Sequence, residues 1–175
     1  MFKCQVRVSC SVVTDRTDEP WLSDDERHAW MALNAMFAVL PPAIDAQLKR
    51  DSGINFFEYQ ILSWLSMTPD RIVRMGMLAH LAGGSLSRLS HAVTRLERQG
   101  WVTRRTTDSP EGRCVQAALT DAGMAMVVAA APGHVREARR LIFDVLTPEQ
   151  VGQLEQIGRQ LVEAESPQTA ACFQD

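Results

Sequence analysis

Six side chains able to donate hydrogen bonds fall within twelve residues of one another: Ser87, Arg88, His91, Thr94, Arg95 and Arg98. Glu97 is the one acid among them. At helical spacing, Leu86, Leu89, Val93 and Leu96 lie at i, i+3, i+7 and i+10 and are expected to turn inward, which leaves the six polar residues on the outer face. A surface helix that needs only solubility mixes Lys with Glu. A face of Arg, Ser, Thr and His instead suits the base edges and phosphates of a nucleic-acid duplex. Arg88, near the helix start, is the candidate for a base contact. Arg95 and Arg98 are candidates for phosphate contacts or local ion pairs, and a solvated ion pair is the plain alternative for each arginine taken singly. Ser87 and His91, four residues apart, also mimic a nucleophile and its base. No acid is placed to orient the imidazole, no glycine-rich oxyanion site follows a strand, and no phosphate-binding or dinucleotide fingerprint occurs, so catalysis is not expected.

The elements that position this face are two short helices joined by a tight turn. The first covers roughly Met75 to Ala82, and Gly83-Gly84 breaks it; Gly83 is suited to a positive φ, and Ala79 is small enough for a close crossing. Ser85 or Ser87 caps the second helix, and Gly100 stops it. Ser85 thereby joins the candidate contact set. This spacing is that of a helix–turn–helix. Trp101–Thr106 and Cys114–Leu119 read as two strands joined by Asp108-Ser109-Pro110-Glu111-Gly112, a hairpin whose tip carries Arg113. Arg113 is suited to entering a minor groove. Equally, Asp108 can simply hold it.

Upstream, residues 1–20 lack a helical period and read as a flexible arm. Ser23-Asp24-Asp25-Glu26 is a capping box opening a helix within residues 21–50, with Pro41-Pro42 predicting a kink or two helices end to end. Asn55-Phe56-Phe57-Glu58 is a second capping box. The segment 55–119 holds the helix–turn–helix and hairpin. Residues 120–165 carry two further helices, the last opened by Thr147-Pro148-Glu149-Gln150, and Val135, Ala138, Ile142 and Val145 form a seam suited to a partner helix. Residues 166–175 are a polar tail. The expected fold is mostly α with a small β-hairpin.

The composition permits this. The chain has 175 residues, 46% hydrophobic and 22% charged, enough for a core without metal or disulfide staples. Net charge is −3, but Arg71–Arg113 holds eight arginines against three acids, leaving the remainder at −8. A basic segment inside an acidic chain is an electrostatic footprint that the overall charge conceals. Cys4, Cys10, Cys114 and Cys172 are far apart, so no disulfide framework, zinc site or thiol sensor is expected, and His28, His80, His91 and His134 lack metal-ligand spacing. No apolar run is read as approaching the roughly 18 residues of a membrane span, and no signal peptide is evident, so a cytoplasmic location is expected.

With these residues in view, the chain resembles the MarR family, the multiple antibiotic resistance regulators. The resemblance is carried by Leu86-Ser87-Arg88-Leu89-Ser90-His91, by Thr94–Val102, by the wing residues Asp108, Glu111, Gly112 and Arg113, and by Leu119-Thr120-Asp121-Ala122-Gly123. It extends from about Trp21 to Glu165. The resemblance implies a homodimeric winged helix–turn–helix protein that binds double-stranded DNA, with the first and the last two helices forming the dimer interface. It also implies repression of nearby genes, relieved by a small molecule. Trp30, Phe37, Trp64 and Met67 lie on helices that border an effector pocket in this family and are candidates for an aromatic ligand, against the plainer reading of core packing. The wing sequence departs from the commoner tip with two aspartates. The rival reading is a winged-helix dimer serving as a protein-interaction or ligand-binding module without specific DNA binding.

Overall fold

A computed structural model describes residues 21–109 and 112–166. Cys4, Cys10 and Cys172, the arm 1–20, Pro110, Glu111 and the tail from 167 lie outside the described residues. By its internal contacts the chain divides into two units, one ending at Met36 and one beginning at Phe37.

Helix α1 (Asp24–Ser52) opens on the expected capping box: the backbone N–H and hydroxyl of Ser23 donate to Glu26 Oε2 at 2.8 and 2.7 Å. Both prolines lie inside this one helix, so the expectation of two helices is corrected. A proline removes one N–H, and a helix of this length tolerates that loss where its flanking turns remain bonded. The reading of no long apolar run is corrected as well. An 18-residue window of α1 reaches a mean hydropathy of 1.3, so by length and composition the helix is able to cross a membrane. Its C-terminal part, however, is built into the protein core through Ile44, Gln47 and Leu48.

Helix α2 (Phe56–Met67) begins with a complete capping box between Asn55 and Glu58 and buries Phe57, Ile61, Leu62 and Leu65. Strand β1 (Ile72–Arg74) follows a turn in which Arg71 adopts φ +54°. Helices α3 (Met75–Leu81) and α4 (Leu86–Arg98) are joined through Gly83 at φ +65°. Strands β2 (Val102–Ser109) and β3 (Gly112–Leu119) pair antiparallel from Val102↔Leu119 out to Ser109↔Gly112. Both run longer than their residue types predicted. β1 was not foreseen; it pairs antiparallel with β3, giving the order β1-β3-β2.

Helix α5 (Asp121–Leu141) starts where the hairpin ends, and the join is tight. The Thr120 hydroxyl donates to Gly100 O at 2.7 Å and accepts from Gly123 N at 3.0 Å. A Cβ on Gly123 would sit 2.2 Å from Trp101 O, so only glycine permits this approach. α5 ends at Leu141, and Phe143–Val145 form a 3-10 turn. The seam expected through Ile142 and Val145 is therefore not one helical face, since the backbone leaves α-helical geometry at Ile142. Helix α6 (Pro148–Glu165) carries the third capping box, Thr147 with Gln150, and buries none of its residues.

The core joins α2, α3, α4, the base of the sheet, and parts of α1 and α5. Within it, His134 of α5 lies 4.5 Å from the Tyr59 ring and 6.4 Å from Phe56, with a buried Nδ1 that has no hydrogen-bond partner. Burial holds its pKa below the ordinary histidine value. The unfolded chain therefore takes up this proton first as pH falls below about 6.5, and stability is lost through that window. Thermal melts between about pH 7 and pH 5.5 are expected to show a falling Tm in the native chain and a weaker fall in His134→Phe, because His is the side chain that titrates there. Equal slopes would mean that His134 does not carry the effect.

Candidate nucleic-acid interface

Helix α4 is fixed at both ends by local chemistry. Ser85 is its N-cap, its hydroxyl accepting from Arg88 N at 3.2 Å. At the other end Gly100 turns to φ +74°, while Gly100 N bonds Glu97 O at 2.9 Å and Trp101 N bonds Leu96 O at 3.0 Å. This paired closure satisfies the last carbonyls and sends the chain directly into β2.

Between the caps, Leu89, Ala92, Val93 and Leu96 are buried. Leu86 was expected to join them but is 56% exposed. It occupies the first helical turn, before the helix reaches the core, and Ala92 takes the fourth inner position. The outer face holds Ser87, Arg88, His91, Arg95 and Arg98, all exposed, with Thr94 half-buried.

Three residues of the expected contact set are engaged within the protein. Arg95 Nε donates to Glu58 Oε1 at 2.7 Å, and Glu58 is itself buried, with its other oxygen accepting from Asn55 N at 3.1 Å. The Thr94 hydroxyl donates to Ser90 O at 2.9 Å and accepts from Arg104 Nη2 at 3.0 Å. Arg88 is stacked, its guanidinium carbon 4.0 Å from the centre of the Phe57 ring. Among the described residues, Arg88, Arg98 and Arg113 make no ion pair. Arg113 is exposed, and its backbone pairs in register with Asp108.

Sequence reading passed over Arg104 and Arg105. Arg104 ties β2 to α4: its backbone N–H and Nη1 both donate to the Glu97 carboxylate, and Nη2 donates to Ser90 O at 2.7 Å. The signal was present in the sequence, since Glu97 and Arg104 flank the Gly100 turn, but two residues seven apart face each other only once that turn has formed. Arg105 is exposed on the same strand without an acid partner among the described residues. With Arg88, Arg98 and Arg113 it makes four exposed guanidinium groups on one lobe.

Above the start of α4 lies an open groove of about 1320 Å³ between α1, α2 and the α3–α4 turn. Phe37, Phe56 and Phe57 supply its apolar wall; of its charged lining, Lys49 is paired with Asp45 at 2.7 Å and Arg95 with Glu58, and Arg88 has no acid partner among the described residues. Of the four aromatic-ligand candidates, Phe37 lines this groove. Trp64 packs against the core, Met67 is exposed at the end of α2, and Trp30 is exposed in the unit ending at Met36.

No family model and no curated protein matches the sequence. Solved structures do. Sco3205, a MarR family transcriptional regulator from Streptomyces coelicolor crystallised in complex with DNA, is 42% identical, covering 86% of this chain and 94% of that one at a TM-score of 0.76. AbsC, a MarR family transcriptional regulator from the same organism, is 31% identical over 86% of this chain and all of that one, TM-score 0.74. CouR from Rhodococcus jostii RHA1, solved with p-coumaroyl-CoA bound, shares the fold at 21% identity over 79% and 92% of the two chains, TM-score 0.65.

The Arg104 clamp generates a direct test. Arg104→Ala leaves Glu97 half-buried and unpaired, and a loss of about 1–3 kcal/mol of unfolding free energy is expected in denaturant titrations. A variant as stable as the native chain would show that the clamp holds nothing.

Proposed function

The chain belongs to the MarR family of transcriptional regulators, and we propose that it is a ligand-responsive repressor that binds a pseudo-palindromic DNA site as a homodimer. The observation that carries this reading is the set of exposed arginines on α4 and the wing, Arg88, Arg98, Arg105 and Arg113, which have no acid partner among the described residues. α4 enters the major groove, with Arg88, Ser87 and His91 reading base edges and Arg98 on phosphate. Arg113 reaches the adjacent minor groove. Two such helices sit about one helical turn (~34 Å) apart. Ser85 serves chiefly as the cap, and Thr94 and Arg95 act by supporting the helix. Ser87 and His91 serve DNA rather than catalysis, and we read no enzymatic role.

The dimer covers apolar surface that one chain leaves open. Leu154, Ile157 and Leu161 of α6 are 37–55% exposed at helical spacing, and Val135 and Val145 are exposed at the end of α5 and in the turn beyond it. Most helical stability in proteins comes from packing an amphipathic face, so α6 gains by covering this one. A second copy supplies that packing. The groove beside α4 takes a small aromatic effector, matched by its phenylalanine wall, with Arg88 the lining cation that has no acid partner among the described residues. Such an effector shifts the arrangement of the lobes by no more than its differential affinity for the two states. A regulator of this kind works in the cytoplasm, with DNA, its own copy and the effector as partners.

Fluorescence anisotropy with a duplex from upstream of the protein's own gene, against a scrambled duplex, tests the reading. Preferential binding is expected, with log K falling by about 0.9 per neutralised phosphate for each unit of log salt. Arg88→Ala combined with Arg113→Ala is expected to abolish binding while size-exclusion still reports a dimer. A flat salt response, or unchanged affinity in the double variant, would move the assignment to a protein-interaction module.

A further inference from the structure

Phe57 is a core residue of α2, 6% exposed, yet one face of its ring carries the Arg88 guanidinium at 4.0 Å. Its edge rests on the turn before α4. A Cβ built on Gly84 would lie 2.7 Å from both Cε2 and Cζ of that ring. The α3–α4 turn, the ring and the arginine thus form one stack, and Gly84 is where side-chain atoms would break it.

We propose that the Gly84–Phe57–Arg88 stack presets the Arg88 guanidinium for base recognition, which makes Phe57 and Gly84 positioning residues for DNA specificity. The inference rests on the reading of Arg88 as a DNA contact.

The chemistry favours this arrangement. Arginine has a long side chain whose freedom is lost when it binds, and holding it beforehand lowers that cost. Stacking uses only the π face of the planar group. The N–H donors lie in the plane of the guanidinium and point away from its edge, so the edge that pairs bidentately with a guanine remains free. No acid among the described residues competes for it. Arg95, two helical turns further along, is held differently: Glu58, the residue after Phe57, binds it through a buried carboxylate. Adjacent residues of α2 therefore hold two arginines of α4, Arg95 through a carboxylate on its Nε and Arg88 over an aromatic ring, and among the described residues Arg88 is the one of the two with no acid on its donors.

The test is a mutational cycle on the full chain, using as probe a fluorescent duplex that the native protein enriches from a randomised pool. A version of that duplex with one base pair changed reports discrimination. Arg88→Ala is expected to weaken binding about tenfold or more. Phe57→Leu, which keeps an apolar core but removes the π face, is expected to weaken it about three- to tenfold and to reduce discrimination. Gly84→Ala pushes on the ring edge, its Cβ 2.7 Å from Cε2 and Cζ but in ordinary van der Waals contact with Arg88 Cδ at 3.6 Å, and is expected to do the same, so the test survives should Phe57→Leu fail to fold. In the Arg88→Ala background both effects should shrink to less than about twofold, since coupled residues are non-additive. A full effect persisting in that background would show ordinary destabilisation and overturn the inference. Native-like binding by both single variants, with Arg88→Ala weakened, would overturn it while leaving the DNA reading intact. Native-like binding by Arg88→Ala would overturn the Arg88 assignment and the inference together.

Discussion

The burial of one face of α4 sets everything the DNA-binding lobe can do. Leu89, Ala92 and Val93 are fully buried and Leu96 is 1% exposed. Burying a side chain of this size contributes about 1.5–3 kcal/mol. Rolling the helix by one residue would turn it about 100°, carrying Leu89 toward water and Arg88 toward the core. No surface ion pair, at about 0–1 kcal/mol, opposes a cost of that size. The roll of α4 is therefore decided by apolar packing, and the polar face is its consequence. The ion pairs then act on finer coordinates. Glu58 steadies Arg95, and Glu97 with Arg104 fixes how the first wing strand leaves the helix.

The same division explains how the basic segment uses its charge. Arg71 bonds Asp121 at 3.0 Å, Arg95 bonds Glu58, and Arg104 bonds Glu97. Each of these pairs ties together segments that the chain order separates, by seven residues for Arg104 and Glu97 and by 37 and 50 for the other two. The arginines left exposed with no acid partner among the described residues, Arg88, Arg98, Arg105 and Arg113, cluster on α4 and the wing. A positive surface made this way needs no large net charge. Its field is local, and the acidic remainder of the chain limits unspecific attraction to polyanions.

What the amino-acid sequence made legible were the features closed by short-range chemistry. The capping boxes at Ser23, Asn55 and Thr147, the turn at Gly83 and the stop at Gly100 each involve side chains or backbone within a few residues, and all are present. The features it concealed depend on contacts distant along the chain. β1 has three residues, too few for a visible alternation, and exists only because β3 lies beside it, 44 residues away by the pairing of Val73 with Ala117. Its entry needs Arg71 at positive φ, a conformation that an arginine does not advertise. Leu86 shows the complementary limit: its spacing matches the inner face, but the helix start lies beyond the edge of the core. On α4, residue types marked the exposed face, whereas the division between arginines that hold the structure and arginines left exposed required Glu58 and Phe57, thirty or more positions upstream.

This placement also bears on how a regulator of this family is built. Phe57 and Glu58 face the recognition helix, while Phe56 and Phe57 line the groove that opens beside it. α2 thus presents one short stretch to two sites. Phe57 is shared between the groove wall and Arg88, so the two adjoin with no relay of intervening residues. Coupling of this kind has a physical limit, because a ligand biases the pair only by how differently it binds the two arrangements. Phe57 belongs to the same core as the inner face of α4, so a disturbance of its ring draws on the burial that fixes the roll of that helix. The Phe57 ring and the Glu58 carboxylate thus place the groove wall and the core within one turn of α2 from the arginine face of α4.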